Sequence, residues 1–282
     1  MHELPERVRL VIFDLDGVVY RGAEAIPGAA ELVAWLHRCG VAVRFATNNS
    51  MVARDGYVER LAAMGIETTA EEIVTSSSAT VEHLHRHAPD VRRVMAIGAE
   101  GLREELTEAG FQTTMAGDVT AAVPGGALPE SYDALIVGLD PSFDYARLAS
   151  GMSAVAAGAR LIATNADARY PTPTGFLPGA GSIVASLAAA TGVMPEVIGK
   201  PEPAMFRAII EASGVPAAQT VVVGDNPASD IMGARRAGCA SILVLTGVAD
   251  AGGASMLIDD AAPHAVADDP AAVRALLEPL VS

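Results

Sequence analysis

Short apolar runs alternate with helix-like stretches along most of the chain. The runs at 8–14, 41–47 and 220–225 are rich in Val, Ile and Phe, which is typical of buried strands. The stretches at 28–38 and 52–64 are predicted as helices, since the first has an apolar face and the second ends at a glycine. Strands that alternate with helices in this way predict an α/β protein with a mostly parallel sheet.

The pattern restarts after Thr75 and predicts a second, self-contained α/β set. This set comprises helices at 77–87, 100–109 and 144–157, and strands at 92–97, 133–139 and 160–164. The segment at 171–181 is dense in proline and glycine, which predicts a connector of restricted geometry and a candidate hinge. The chain then continues with predicted helices at 182–191, 227–237 and 270–279 and a strand at 241–246. We therefore expect a core of residues 1–80 and 181–282, with residues 81–180 as an inserted α/β cap domain.

The chain is acidic, with a formal net charge of −15. A surface of this sign repels nucleic acid and anionic membranes, so we expect neither as a partner. No apolar run reaches the ~18–20 residues of a membrane span, and the amino terminus carries charges where a signal peptide needs an apolar stretch. We therefore expect a cytoplasmic protein. Its two cysteines, Cys39 and Cys239, are predicted to be buried and reduced, with a disulfide between them as the alternative.

The first polar cluster, Asp14-Leu15-Asp16-Gly17, directly follows the first apolar strand. Alternate residues of an extended chain point the same way, so both carboxylates can face one pocket. Two close carboxylates repel each other and need a cation or a shared proton, which suggests Mg²⁺, an ion that prefers oxygen ligands. Taken alone, the cluster is equally compatible with a pair of solvated aspartates in a turn.

Two further clusters follow later strands and suit an anion. Thr47, Asn48 and Asn49 offer a hydroxyl and successive backbone N–H groups that can hold phosphate oxygens, although an ordinary helix N-cap explains them as well. Lys200 lies between a glycine and a proline, so its ammonium can be aimed at a phosphate. A surface lysine in a turn is the alternative.

The fourth cluster, residues 224–230, follows the apolar run TVVV at 220–223 and contains Asp225 and Asp230. Both carboxylates can reach one metal ion. The alternative is that Asp225 belongs to an ordinary turn at the end of the strand and that Asp230 is an acidic residue favoured at the start of a helix. All four clusters lie at the carboxyl ends of predicted strands or just beyond, which is where open parallel sheets bind ligands.

The order and strand contexts of the four clusters match a known arrangement. FDLDGVVY, ATNNS, IGKPEP and VVVGDNPASD resemble the motifs of the haloacid dehalogenase superfamily of phosphohydrolases, a resemblance that spans nearly the whole chain. The long insert between Thr47 and Lys200, together with DGVVYRG, TNNS and TNADARYPTPTGFLPGAGS, is similar to the subgroup with a large inserted cap. That subgroup includes NagD-like, p-nitrophenyl, phosphoglycolate and pyridoxal phosphate phosphatases. The resemblance implies a Rossmann-like, doubly wound parallel sheet as the core.

The resemblance also implies a mechanism. The family's nucleophile corresponds to Asp14, which would form an aspartyl-phosphate, and its general acid–base corresponds to Asp16. The metal would be held by a carboxylate oxygen of Asp14, the backbone carbonyl of Asp16 and the side chain of Asp225. Asp230 would stand behind these ligands and act through water or a hydrogen bond.

The remaining site residues follow from the same resemblance. Thr47 with the backbone of Asn48 and Asn49 would hold the phosphoryl oxygens, and Lys200 would pair with both phosphate and Asp14.

The cap would close over the site and supply the substrate contacts. Asn165, Asp167, Arg169 and Tyr170 are the candidates for these contacts. Ordinary loop packing is the alternative for Arg169 and Tyr170. Tyr170 falls where some relatives place a substrate-contacting histidine, which leaves the substrate open.

The expected activity is Mg²⁺-dependent hydrolysis of a small phosphorylated metabolite. Glycerol phosphate, phosphoglycolate, pyridoxal phosphate, nucleotides and sugar phosphates are all candidate substrates. A phosphomutase, a dehalogenase or a non-catalytic metabolite-binding protein on the same scaffold are the alternatives. Asp16 and Asp225 favour phosphoryl chemistry over dehalogenation, and a mutase normally carries its cap between the positions of Asp14 and Thr47. Relatives also suggest a homodimer that forms through the cap.

One histidine run lies outside these motifs. His83, His85 and His87 fall on the predicted helix at 77–87, where residues four apart share a face. A zinc-binding pair and a solvated helix face are the two interpretations, and we favour the second.

Overall fold

The computed structural model describes residues 3–119, 130–172, 175–254, 257 and 259–281. Its contacts divide the chain into two compact units. The first unit comprises Met1–Thr47, Asp55–Val74 and Lys200–Ser282, and the second comprises Asn48–Arg54 and Thr75–Gly199.

The first unit starts from a strand that is buried along its whole length, Leu10–Phe13. A strand without a polar face belongs in the interior of a parallel sheet. The helix that follows begins after Gly28 and buries an apolar face that includes Leu32 and Leu36. The amino-terminal elements are strands β1 (Leu10–Phe13), β2 (Tyr20–Arg21), β3 (Glu24–Ala25), β4 (Ala42–Thr47) and β5 (Ile73–Thr75), and helices α1 (Ala29–Arg38) and α2 (Arg54–Ala63).

The second unit is built around a parallel sheet of its own. Its helices are α3 (Ser76–His87), α4 (Glu100–Glu108), α5 (Tyr145–Ala156) and α6 (Ala180–Thr191). Its strands are β6 (Arg93–Ile97), β7 (Gln112–Met115), β8 (Ala134–Val137), β9 (Arg160–Ala163), β10 (Arg169–Thr172), β11 (Gly175–Pro178) and β12 (Glu196–Val197). Within the described residues, five strands pair in parallel in the order β12-β9-β8-β6-β7.

The rest of the chain completes the first unit. It contributes helices α7 (Ala204–Ser213), α8 (Met232–Arg236), α9 (Ala251–Ala254) and α10 (Pro270–Leu277), and strands β13 (Thr220–Gly224), β14 (Ala240–Val244) and β15 (Ala265–Ala267). The described strands of its main sheet run in the order β15-β14-β13-β1-β4-β5. Because β1 pairs in parallel with both β4 and β13, the carboxyl ends of these three strands meet at one edge.

The predicted α/β class and the parallel sheets are confirmed. The unit boundaries differ from the predicted ones, because residues 48–54, 75–80 and 181–199 belong to the second unit. The physical reason is pairing: β12 extends the second sheet beside β9, and α6 packs on α5. Within the described chain, no helix combines the length and the apolar character needed to cross a membrane.

The segment predicted as a connector at 171–181 is largely an antiparallel hairpin of β10 and β11. The hinge interpretation of this segment falls partly on residues 173 and 174, which lie outside the described residues. The two cysteines are unpaired; Cys239 is buried as predicted, but Cys39 is exposed, so the prediction that both are buried was wrong. Cys39 is exposed because it follows the last residue of α1, on the way into the glycine turn at Gly40.

The cores suggest a stability test with a matched pair of leucines in the second unit. Leu135 is fully buried in β8, whereas Leu177 in β11 is 55% exposed. Leu135→Ala removes buried contacts and leaves a cavity, so it should lower the free energy of unfolding by about 2–5 kcal/mol. Leu177→Ala should change it by less than about 0.5 kcal/mol. Urea denaturation followed by circular dichroism measures both, and equal losses would contradict this description of the core.

Candidate active site

The candidate site begins where two neighbouring strands of the first unit end. β1 ends at Phe13, and the backbone N–H of Asp14 still donates to the carbonyl oxygen of Val223 at 2.9 Å. β13 ends at Gly224 and is followed directly by Asp225. Strand pairing therefore brings Asp14 and Asp225 to the same edge of the sheet.

Three aspartates meet at this edge. One carboxylate oxygen each of Asp14, Asp225 and Asp230 lies within 4.8 Å of the others. The ammonium of Lys200, which is 3% exposed, donates to Asp14 Oδ1 at 2.5 Å and to Asp230 Oδ1 at 2.7 Å. It also donates to the carbonyl oxygen of Ala46 in β4 at 3.2 Å. The structure thus brings four of the predicted residues into one cluster.

Local backbone features hold Asp230 in this cluster. Residues Pro227–Ile231 form a π-helical turn that leads directly into α8, so the helix predicted near 227–237 is present but begins as a π-helix. Such turns are frequent at functional sites. The backbone N–H of Asn226 donates to Asp230 Oδ2 at 3.1 Å, while Lys200 occupies Oδ1. A Cβ on Gly224 would lie 2.2 Å from the Cβ of Asp230, so glycine is needed there.

Asp16 lies in a tight turn after β1. The carbonyl oxygen of Leu15 accepts from the N–H of Val19 at 2.9 Å, and the N–H of Gly17 donates to the carbonyl oxygen of Tyr20 at 2.8 Å. Gly17 has φ +80°, a backbone conformation that residues other than glycine rarely adopt. The turn keeps Asp16 exposed while the residues around it are buried.

A cation that no sequence motif indicates lies beside this turn. The guanidinium of Arg60 in α2 lies 3.7 Å from the ring centroid of the buried Tyr20 and donates to the carbonyl oxygen of Gly22. Partial desolvation raises the pKa of Asp16, against the opposing pull of the Arg60 and Lys200 charges. An arginine in a helix gives no motif signal, so only the fold reveals this contact.

The charges of the cluster leave an excess of negative charge. Burial, together with the Asp225 and Asp230 carboxylates, raises the pKa of Asp14 although Lys200 lowers it. Burial and the Asp230 carboxylate raise the pKa of Asp225 to about 7. Burial would lower the pKa of Lys200, but the Asp14 and Asp230 carboxylates outweigh it and raise the pKa. Three carboxylates around one ammonium suit a divalent cation bound through oxygen.

The TNNS segment is held mainly within the second unit. Thr47 ends β4 and is buried, and it belongs to the first unit. In the second unit, the side-chain amide of Asn165 donates to the carbonyl oxygen of Asn48 at 2.8 Å. The side-chain amide of Asn48 donates to Asp167 Oδ2 at 2.9 Å, and Asn49 Oδ1 accepts from the N–H of Met51 at 2.9 Å. Asn165 and Asp167 were predicted as substrate contacts. In the structure Asn165 holds the backbone of Asn48, and Asp167 holds its side chain.

The other two predicted cap residues lie in the hairpin rather than in a loop. Arg169 and Tyr170 belong to β10, and Tyr170 pairs with Leu177 of β11. The Arg169 guanidinium lies 5.6 Å from the ring centroid of the exposed Phe176.

The three histidines do not form a metal cluster among the described residues. His83 Nε2 lies 2.8 Å from Glu196 Oε1, and its ring lies 4.9 Å from that of His87, measured between centroids. His85 stacks on Phe111.

The raised pKa of Asp225 gives a prediction on stability and pH. In the metal-free protein the folded carboxyl keeps its proton above its ordinary pKa of 3.8, up to about pH 7. The folded state binds this proton more tightly than the unfolded state does. The folded protein is therefore most stable, with respect to this group, below about pH 4, and it loses stability as the pH rises to about 7. Each pKa unit corresponds to about 1.4 kcal/mol, so the loss should be a few kcal/mol.

Asp225→Asn removes this titration. The free energy of unfolding of the variant should therefore fall less between pH 4 and pH 7 than that of the wild type. The single tryptophan, Trp35, lies in the first unit, so its fluorescence during urea denaturation in a chelator reports the change. The exposed Asp55→Asn is the matched control and should follow the wild type. Identical pH dependence in all three proteins would contradict the raised pKa.

Comparison with known proteins adds independent findings. A family model described as haloacid dehalogenase-like hydrolase matches residues 11–112, and one described as HAD-hydrolase-like matches residues 197–273. A 5′-nucleotidase of Bacillus subtilis is 38% identical over 237 residues, covering 84% of this chain and 87% of that protein.

Two solved structures are also similar. A 4-nitrophenylphosphatase of Thermotoga maritima has a TM-score of 0.84 at 29% identity, covering 96% of this chain and 98% of that chain. A glycerol phosphate phosphatase of Mycobacterium tuberculosis in complex with magnesium has a TM-score of 0.82 at 32% identity, covering 96% and 78%. With family models that match residues 11–112 and 197–273, and with this identity over most of the length, the chain belongs to the haloacid dehalogenase-like hydrolases, in the group of NagD-like and p-nitrophenyl phosphatases.

Proposed function

We propose that this chain is a Mg²⁺-dependent phosphomonoesterase that hydrolyses a small phosphorylated metabolite through an aspartyl-phosphate on Asp14. The observation that carries the proposal is the buried Lys200 ammonium that bridges Asp14 and Asp230, next to Asp225. Such a cluster can hold a phosphate dianion only with a further cation, because the net charge of the four side chains is already negative. The relatives, which are named phosphatases, support the same class.

The donor set of the cluster fits Mg²⁺. The carboxylates of Asp14 and Asp225 and the backbone carbonyl of Asp16 would hold the ion, which prefers oxygen ligands. Both oxygens of Asp230 already accept hydrogen bonds, from Lys200 and from the N–H of Asn226, so Asp230 suits a supporting role beside the ligands. When bound, Mg²⁺ offsets the repulsion between the carboxylate and the phosphate dianion.

The two aspartates at the end of β1 divide the chemistry between them. Asp14 attacks phosphorus to form an aspartyl-phosphate, and the bond from phosphorus to the leaving oxygen breaks. Asp16 gives its proton to that oxygen, then takes a proton from the water that attacks the phosphorus of the intermediate. This second step releases inorganic phosphate and restores both carboxyl groups. Desolvation raises the pKa of Asp16, which favours the protonated form that an acid needs.

The remaining residues bind rather than react. Thr47 and the backbone N–H groups of Asn48 and Asn49 would hold the phosphoryl oxygens, a role that rests on the resemblance of the TNNS motif. Lys200 would neutralise both the phosphate and the nucleophile.

Four residues of the second unit are proposed to contact the substrate. They are Asn165, Asp167, Arg169 and Tyr170, with Arg169 as a charge partner for an anionic or hydroxylated group. The candidates remain glycerol phosphate, phosphoglycolate, pyridoxal phosphate, nucleotides and sugar phosphates. Phosphate release from a panel of phosphorylated metabolites, assayed with Mg²⁺ and with chelator, should identify one preferred class of substrate. For that class, Arg169→Ala and Tyr170→Phe should raise KM by a larger factor than they lower kcat.

We also propose that the protein works in the cytoplasm and forms a homodimer through the cap. The unpaired cysteines support a reducing compartment. Sedimentation of the full chain distinguishes a monomer from a dimer.

The central prediction concerns the two aspartates. The wild type should release phosphate from p-nitrophenyl phosphate with Mg²⁺ and lose this activity in chelator. Asp14→Asn should reduce the rate to background, and Asp16→Asn should reduce kcat by about 10²–10⁴-fold, as expected for loss of a general acid–base. Asp55→Asn, an exposed aspartate in α2, is the control and should keep wild-type activity. Activity that survives Asp14→Asn would refute the proposed nucleophile.

A further inference from the structure

Asp225 is held by a backbone segment that no motif of the sequence includes. The segment Thr246–Val248 follows β14, and we refer to it as the Asp225 seat. The backbone N–H of Val248 donates to Asp225 Oδ2 at 2.7 Å. The N–H of the next residue, Ala249, donates to the backbone carbonyl oxygen of Asp225 at 3.2 Å. Two successive N–H groups therefore fix both the side chain and the main chain of this aspartate.

Two glycines enclose the same carboxylate oxygen. A Cβ added to Gly247 would lie 1.9 Å from Asp225 Oδ2, and a Cβ added to Gly17 would lie 2.3 Å from it. Any side chain at either position would displace the carboxylate or the backbone. For Gly247 the requirement is one of space and not of backbone conformation, since its φ is outside the left-handed region. The Asp225 seat and the turn after Asp14 thus pack against Oδ2 from two directions.

A hydroxyl group ties these two backbone segments together. Thr246 Oγ1 donates to the carbonyl oxygen of Gly17 at 2.6 Å. Gly17 directly follows Asp16, whose carbonyl oxygen is a proposed metal ligand. The guanidinium of Arg21 donates to the carbonyl oxygen of Thr246 and thereby links the seat to β2 as well. One side chain, Thr246, therefore couples the position of Asp225 to that of the Asp16 carbonyl group.

We propose that the Asp225 seat positions a ligand of the metal site. The seat occupies Oδ2 of Asp225 through the N–H of Val248 and leaves Oδ1 as the oxygen that would bind Mg²⁺. Asp225 would then offer the ion a single oxygen, and Thr246 would fix the position of the Asp16 carbonyl group relative to Asp225. The inference rests on the proposed function for the identity of the ion. It extends that function to Thr246, Gly247 and the N–H of Val248, none of which is among the proposed ligands of the metal or the substrate.

Partners that orient metal ligands typically contribute 10–100-fold to metal affinity. Gly247→Ala should therefore weaken Mg²⁺ binding by about 10–100-fold. Thr246→Val keeps the shape of the side chain but removes the donor, and it should weaken binding in the same direction. Thr246→Ser restores the hydroxyl and should return the affinity to near that of the wild type.

Calorimetric titration of the full chain with Mg²⁺, without substrate, measures the affinity directly. Gly252→Ala is the matched control, because it also adds a methyl group to a glycine, here in α9. The nearest side-chain atom that the added Cβ would meet is Asp250 Oδ1, at an ordinary contact distance of 3.4 Å. Thermal unfolding in chelator shows whether each variant is folded. The Mg²⁺ dependence of p-nitrophenyl phosphate hydrolysis gives a second readout, in which kcat at saturating Mg²⁺ should recover while the half-activating Mg²⁺ concentration rises.

The outcomes separate this inference from the proposed function. Weakened Mg²⁺ binding in Gly247→Ala and Thr246→Val, with recovery in Thr246→Ser, supports the seat even if the wild type hydrolyses no phosphate ester. Wild-type affinity in Thr246→Val overturns it, and so does an equal loss in Thr246→Val and Thr246→Ser. If Gly247→Ala does not fold, the threonine pair alone decides. A wild type that binds no Mg²⁺ overturns the inference together with the metal site.

Discussion

A buried ammonium group organises the edge of the sheet where the candidate site lies. Lys200 is almost fully buried, and removing an ammonium from water costs several kcal/mol unless charged partners replace the water. Asp14, Asp230 and the carbonyl oxygen of Ala46 supply that replacement, and each comes from the end of a different strand or the turn after it. The lysine can be buried only if all three are in place. Its charge therefore couples the packing of the first unit to the geometry of the nucleophile.

The same cluster explains why the site needs a second cation. The lysine neutralises one carboxylate. Burial, together with repulsion between the carboxylates, raises the pKa values of Asp14 and Asp225. A phosphate dianion adds to this repulsion, so a divalent ion bound by oxygen atoms resolves both problems. The aspartates fit because the backbone beside them carries no side chains. Gly224 leaves room for Asp230, and Gly17 and Gly247 leave room for Asp225. The site is thus shaped by the absence of side chains as much as by the charged groups.

The sequence predicted the parts of the fold that depend on long apolar patterns. β1 and β13 are recognisable because each is buried on both faces, and the polar residues directly after them mark the edge of the sheet. Short strands with polar residues, such as β7 and β12, were missed because their position depends on pairing with distant strands. The hairpin of β10 and β11 was missed for the same reason, since proline and glycine indicate a turn but not its partner strands.

The site was predictable as far as side chains define it. Asp14, Asp225 and Lys200 follow from motifs, and the structure brings them together. The N–H of Val248 and the space around Gly247 leave no sequence pattern, because any residue can donate a backbone N–H and glycine has many uses. Only the three-dimensional arrangement shows that they hold an aspartate.

The most direct measurement is to find the residue that carries the phosphoryl group during turnover. Rapid acid quenching of the enzyme with Mg²⁺ and substrate, followed by reduction with borohydride and mass spectrometry of the peptides, locates an acyl-phosphate. We expect the modification at Asp14, and we expect it to accumulate in Asp16→Asn, where the water that hydrolyses the intermediate is no longer deprotonated. Modification at another residue, or phosphate release with no modified peptide under any condition, would contradict the account.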